Sequence, residues 1–182
     1  YDLDSLVSEN LVSPFIVELP NIVLQQAIEL VENLFQMRSE NDYISYFAST
    51  LQEKNIPDPG NKAVAMSYDV HWVPSTQKLK LIEVNTNAAF LFLSDFFYEA
   101  LLVNKPVVDF HRDQLINCFH HELQLRKKNA PLTSVAIIDE NPAQQRLYIE
   151  FLVAQEFLKS HGIRCEIFDY QNYKPSSFDV VY

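Results

Sequence analysis

Only two glycines, Gly60 and Gly162, occur in 182 residues, and that scarcity excludes two large classes of nucleotide site. Loops that cradle phosphate with backbone N–H groups need several glycines, so that the chain can approach the ligand closely. Neither a P-loop nor a dinucleotide-binding glycine fingerprint is present. Cysteine is equally scarce. Cys118 and Cys165 stand far apart, outside any C-x-x-C pair, as small buried hydrophobes of a reducing compartment do. No apolar run approaches the ~20 residues of a membrane span, and Tyr1–Pro20 shows no secretory leader. Cations are also few: 14 Lys and Arg against 24 Asp and Glu leave a net charge of −10. A nucleic acid or anionic membrane would need a basic surface to displace counterions, so neither is expected as a partner. Phosphate ligands stay open, because a bound cation can invert the local field. A cytoplasmic location is expected.

Apolar residues make up 48% and charged residues 21%, enough for a packed core. The length suits one ordinary domain, or a domain with a piece of a second. The chain opens on Tyr1 rather than Met and closes on Phe178-Asp179-Val180-Val181-Tyr182, a strand without a closing turn. Both ends suggest a fragment of a longer protein.

Residues 1–20 lack a clean period, and Pro14 and Pro20 suggest an extended lead-in. From Asn21, the apolar residues Leu24, Ala27, Ile28, Val31, Leu34 and Phe35 recur at three- and four-residue steps, predicting an amphipathic helix. Ser39-Glu40-Asn41-Asp42 is rich in capping residues and starts a second helix through Tyr46, Phe47 and Leu51. Pro57-Asp58-Pro59-Gly60 must end it. Ser94 is placed to cap a short aromatic helix over Phe96–Val103, and Asp109 another to about Lys127. Ala130-Pro131 marks a boundary, giving a helical and hairpin region over 1–129 and a second unit over 130–182.

That second unit reads as β-α-β. Val135–Ile138 is a short buried strand, Asn141-Pro142 an N-cap with proline at the first helical position, and His161-Gly162 a helix stop. Cys165–Phe168 and Val180-Val181 follow as strands. A short strand–helix–strand connection implies a right-handed crossover and a parallel sheet. The expected class is α/β.

The segment from Met66 to Asn87 carries the chemistry. It reads Met66-Ser67-Tyr68-Asp69-Val70-His71-Trp72, a turn, then Lys80-Leu81-Ile82-Glu83-Val84-Asn85-Thr86-Asn87. Glu83 and Asn85 lie two apart on a strand and project from one face. A loop of odd length centred on Thr76 puts Asp69 opposite Glu83, Ser67 opposite Asn85 and His71 opposite Leu81. The other face then holds Met66, Tyr68, Val70, Trp72, Ile82 and Val84, nearly all apolar. An even loop sets Asp69 against Ile82 and mixes both faces, so binary pattern favours the odd register. Two carboxylates opposite one another, ~5 Å apart at Cβ, repel. Solvent, protonation of one acid, or a cation between them relieves that. Hard oxygen donors of this kind suit Mg²⁺ or Mn²⁺, which complete their shell with water and substrate phosphates.

Asp69 with Glu83-Val84-Asn85-Thr86-Asn87 resembles the metal-binding end of ATP-grasp ligases, where an acid-bearing strand pairs with a strand reading Glu-x-Asn. The resemblance implies two magnesium ions bridging the phosphates of ATP: Asp69 on one, Glu83 bridging both, and Asn85 on the second. It further implies an acyl phosphate made from a small-molecule carboxylate and attacked by an amine, with Asn87 near the phosphates or the substrate. The motif comes early and a β-α-β unit follows. That order resembles circularly permuted members such as glutathionylspermidine synthetase, in which the later unit is a Rossmann-like pre-ATP-grasp domain. The chain departs from the family in three places. Ala88-Ala89-Phe90 stands where many relatives have glycine, Ser67 where classical members place arginine, and no pair of phosphate-binding lysines can be assigned. The chain alone is not expected to turn over ATP.

Each signal has a plainer reading. Asp69, Glu83 and Asn85 could be a solvated sheet face, and His71 a surface histidine on that face. Asn87 could cap the turn after the strand. Cys118, His120 and His121 diverge around a helix and lack the i, i+4 spacing of helical metal sites. Phe90, Phe92, Phe96, Phe97 and Tyr98 suit helix packing better than an aromatic pocket. Asp139, Glu140 and Asn141 end a parallel strand, where α/β sheets bind ligands, although capping accounts for Asn141. The rival functions are an interaction module that keeps the hairpin as architecture, and a flavodoxin-like regulatory domain built on the final third.

Overall fold

A computed structural model describes residues 17–55, 60, 62–86, 88–94, 112–174 and 177–182 and shows a mixed α/β fold. The described elements belong to two units, one holding two helices and the hairpin, the other residues 62–65 and everything from residue 88 onward.

In the first unit, helix α1 (Asn21–Met37) follows Pro20, and helix α2 (Asn41–Glu53) follows Glu40. Neither start is capped by a side chain, so the polar run Ser39–Asp42 sets the break between helices without supplying a cap oxygen. Asn55, at φ +52°, ends α2 ahead of the proline-rich stretch, as expected. Strands β1 (Met66–Val73) and β2 (Lys78–Thr86) pair antiparallel. One side chain ties α1 to this hairpin: Gln26 donates from Nε2 to Gln77 O at 2.9 Å and accepts the Leu79 N–H on Oε1 at 2.8 Å. Val23 is the single fully buried hydrophobic residue described in this unit, while Ile28, Phe35, Tyr46 and Ile82 remain more than half exposed.

In the second unit, β3 (Ser134–Asp139), β4 (Arg164–Asp169) and β5 (Val180–Val181) form a parallel sheet in the order β4-β3-β5. Helix α3 (Arg112–Arg126) packs Leu115, Phe119 and Leu123 into one core with Val135 and Ile137 of the sheet and Ala154 and Leu158 of helix α4 (Tyr148–Ser160). Ala130 is partly buried and packs against this core. Burying each large side chain contributes roughly 1.5–3 kcal/mol. Gly162, at φ +75°, closes α4: its N–H bonds Lys159 O at 2.9 Å and the Ile163 N–H bonds Leu158 O at 3.1 Å, the paired bonds of a glycine-terminated helix. The start of β5 is fastened to the start of β3 by Asp179. Its Oδ2 accepts from the Thr133 N–H (2.9 Å) and hydroxyl (2.7 Å) and from both N–H and hydroxyl of Ser134 (3.1 Å each).

Two expected caps are replaced. Asn141 adopts a left-handed conformation (φ +45°) and its side chain caps nothing; Pro142–Gln144 is a 3₁₀ turn and α4 begins only at Tyr148. The competing partners are specific: Asp169 Oδ2 takes the Asn141 N–H at 2.9 Å, and Gln145 Nε2 donates to Glu140 O at 2.7 Å. Ser94 lies inside a helical turn over 91–94 rather than ahead of a helix, and its hydroxyl donates to Leu91 O at 2.9 Å. Phe96–Val103 and Asp109 fall outside the described residues. No described helix is long and apolar enough to cross a membrane.

Candidate metal centre

The hairpin brings Asp69 directly opposite Glu83 and Ser67 opposite Asn85, as the binary pattern predicts. The route differs. Four residues, 74–77, separate Val73 from its partner Lys78, so the loop is even, and a register shift between Asp69 and Val70 supplies the odd residue instead. Val70 pairs with Leu81 and Asp69 with Glu83, leaving Ile82 as the extra residue of a β-bulge. His71 consequently faces Lys80 rather than Leu81.

The bulge sorts the two faces better than an odd loop would. Cross-strand partners share a face, so Met66, Tyr68, Val70, Trp72, Leu79, Leu81 and Val84 lie on one side. Ser67, Asp69, His71, Lys78, Lys80, Glu83 and Asn85 lie on the other. A regular strand could not put Leu79, Leu81 and Val84 on the same face. The adjacent apolar pair Leu81-Ile82 is the sequence signal for the break.

On the polar face, Asp69, His71, Glu83 and Asn85 are all solvent-exposed. Asn85 donates from Nδ2 to Glu83 Oε1 at 3.3 Å, which leaves its Oδ1 as an oxygen donor beside the two carboxylates. The arrangement is two acids and one amide oxygen on a sheet face open to water. Its oxygen donors suit a small hard cation that keeps several waters, and the imidazole of His71, paired with Lys80, lies on the same face. Among the described residues no three His, Cys, Asp or Glu side chains form a group that could hold a metal ion. Cys118, His120 and His121 lie along α3 and form no such group. Asn87 falls outside the described residues.

The second unit holds an acid that sequence reading passes over. Glu150 is 1% exposed, and its carboxylate accepts the Phe92 N–H at 2.9 Å and the Leu93 N–H at 2.6 Å, capping the turn at 91–94 from a distant helix. Burial pushes its pKa above the ordinary value, against the opposing pull of the backbone donors at Phe92 and Leu93. Tyr182 extends the same cluster: its hydroxyl donates to Ala88 O at 2.7 Å, and burial with the nearby Glu150 charge raises its pKa to about 12. The available signal was a glutamate flanked by Ile149, Phe151 and Leu152 in the apolar first half of the helix. Comparison with family models, curated proteins and solved structures finds no match to this chain.

Proposed function

We propose that this chain is part of an ATP-grasp-like, ATP- and Mg²⁺-dependent carboxylate–amine ligase of the circularly permuted kind, in which Asp69, Glu83 and Asn85 hold magnesium. The observation that carries the reading is the pairing of Asp69 with Glu83, with Asn85 on the same exposed face. A bulge that drives two carboxylates together, where a regular ladder would separate them, raises electrostatic repulsion that a divalent ion offsets. Mn²⁺ fits the same donors.

In this reading a bound metal supplies charge neutralisation for the phosphates of a nucleotide. The chain's own groups do the placing. Asp69 and Glu83 would hold the cation on the strand pair, and the hydrogen bond from Asn85 orients the Glu83 carboxylate. The Gln26 clamp on Gln77 and Leu79 holds the turn end of the hairpin still. The parallel sheet of the second unit takes the part of the Rossmann-like pre-ATP-grasp unit, in a cytoplasmic enzyme with small-molecule carboxylate and amine substrates.

The test is isothermal titration of the intact protein with Mg²⁺ and a non-hydrolysable ATP analogue, alongside Asp69→Asn and Glu83→Gln. Nucleotide binding that needs metal and weakens at least tenfold in both variants supports the ligase. Absence of metal-dependent binding in a folded wild-type protein rejects it. One observation favours a second reading, an interaction module that keeps the hairpin as architecture: the apolar side chains of α1 and α2 left exposed, Phe35 and Tyr46 among them.

A further inference from the structure

We infer that a cavity of about 440 Å³ at the carboxyl ends of β3 and β5 binds an uncharged, largely apolar small molecule with one O–H or N–H donor, received by Asp139. No hairpin residue lines this cavity, and the inference does not rest on the magnesium reading.

The sheet reverses its order at β3. From β3 the chain passes through α4 to β4 on one side, and β5 later pairs with β3 on the other. Open parallel sheets take ligands beyond the carboxyl ends of their strands, where the order turns back. The cavity lies there: Ile138 and Asp139 end β3, Tyr182 follows β5, and Leu147 immediately precedes α4. Its volume falls within the range of small-molecule sites.

Most polar groups of the wall are already engaged. The Glu150 carboxylate accepts the Phe92 and Leu93 N–H groups, and burial favours its uncharged form. Tyr182 donates its hydroxyl to Ala88 O at 2.7 Å, and Gln145 donates from Nε2 to Glu140 O at 2.7 Å. Arg146 has a partner within the protein. Asp139 keeps an open oxygen: Oδ1 accepts the Glu140 N–H at 2.6 Å, while Oδ2 accepts no hydrogen bond among the described residues. Ile137, Leu147, Phe151 and Ala154 make much of the remaining wall apolar.

Charge in this wall disfavours ions of either sign. An anion meets the acids Asp139 and Glu150, and a cation meets the guanidinium of Arg146. An uncharged donor avoids both conflicts. Its apolar body displaces water from the wall, and its O–H or N–H reaches a charged acceptor, the stronger kind of hydrogen bond.

The experiment is a ¹⁵N-resolved NMR titration of the intact protein with 4-methylphenol, without metal or nucleotide. Toluene lacks the donor, 4-methylbenzoate replaces it with an anion, and 4-methylbenzylamine replaces it with a cation. Saturable shifts centred on Asp139 and the first turn of α4 are expected for 4-methylphenol, with each of the other three at least tenfold weaker. Asp139→Leu should weaken 4-methylphenol at least tenfold and leave toluene unchanged, a split that loss of folding would not give. Ala89→Phe, which adds a ring at an exposed position of the lining, should abolish binding of both. No saturable shift in a folded wild-type protein overturns the inference. So does toluene or either ion binding as tightly as 4-methylphenol, or binding that survives Ala89→Phe.

Discussion

Glu150 and Leu93, 57 residues apart in sequence, are joined by a 2.6 Å hydrogen bond from the Leu93 N–H to a carboxylate that is 1% exposed. The first turn of a helix leaves N–H groups without partners, and here a side chain from α4 takes two of them. Glu150→Gln keeps one acceptor and turns an NH₂ toward the other N–H. It should lower unfolding stability by about 1–3 kcal/mol in a denaturant titration.

The same residue gives a pH dependence with a definite sign. Burial raises its pKa in the folded state, so the folded protein binds this proton more tightly than the unfolded chain. The contribution is complete below the ordinary glutamate value of 4.5 and is lost as pH rises through the elevated folded one. Unfolding free energy measured across that window should fall with pH in the wild type, and the part of the slope owed to Glu150 should be missing in Glu150→Gln.

Asp179 acts in the opposite direction. The Thr133 hydroxyl bond is the largest influence holding its carboxyl below the usual range. Its stabilisation is present above the ordinary aspartate value of 3.8 and disappears as pH falls through the depressed folded one. Asp179→Ala should cost about 1 kcal/mol at neutral pH, since the freed donors of Thr133 and Ser134 are partly reached by water. The difference from wild type, read by thermal melts, should shrink in acid.

The two cysteines should separate cleanly in a labelling experiment. Cys165 is buried in the core and its thiol is pushed up to about 12 by desolvation, so little thiolate forms at neutral pH. Cys118 is partly exposed on α3. One thiol reacting with a maleimide in the native protein, and both after denaturation, is the expected count.

Much of the second unit was legible because local rules and tertiary demands agree there. Val135–Ile138 is uniformly apolar, as a strand covered on both faces must be, and Gly162 takes the positive φ that ends a helix. The hairpin pairing was legible from alternation alone. What the pattern could not fix was the compensation between an even loop and a bulge at Ile82, since an odd loop alone and an even loop with that bulge both place Asp69 against Glu83. The caps failed for a different reason. Asn141 and Ser94 carry good capping chemistry, but the Asn141 N–H is taken by Asp169 and the turn at 91–94 is capped by Glu150, partners too distant in sequence for spacing to disclose. Glu150 shows in the sequence only as an acid within an apolar run, and its partners at Phe92 and Leu93 are too distant to be read from spacing.

The hairpin acids carry a prediction in two conditions. Without metal, Asp69→Asn or Glu83→Gln removes a like-charge pair and should raise stability slightly, by ~0.2–1 kcal/mol. With saturating Mg²⁺, the wild type should overtake both variants, because only it gains the binding energy of the cation. Melting curves in chelator and in Mg²⁺ give the comparison.

Paramagnetic broadening by Mn²⁺ reports most directly on whether Asp69, Glu83 and Asn85 grip a cation. Titrated into ¹⁵N-labelled protein at substoichiometric metal, it should erase amide signals around these three residues first, recover on adding excess Mg²⁺, and leave the Asp69→Asn/Glu83→Gln double variant untouched at the hairpin. Broadening spread evenly over the acidic surface, or unchanged in the double variant, would contradict the magnesium assignment.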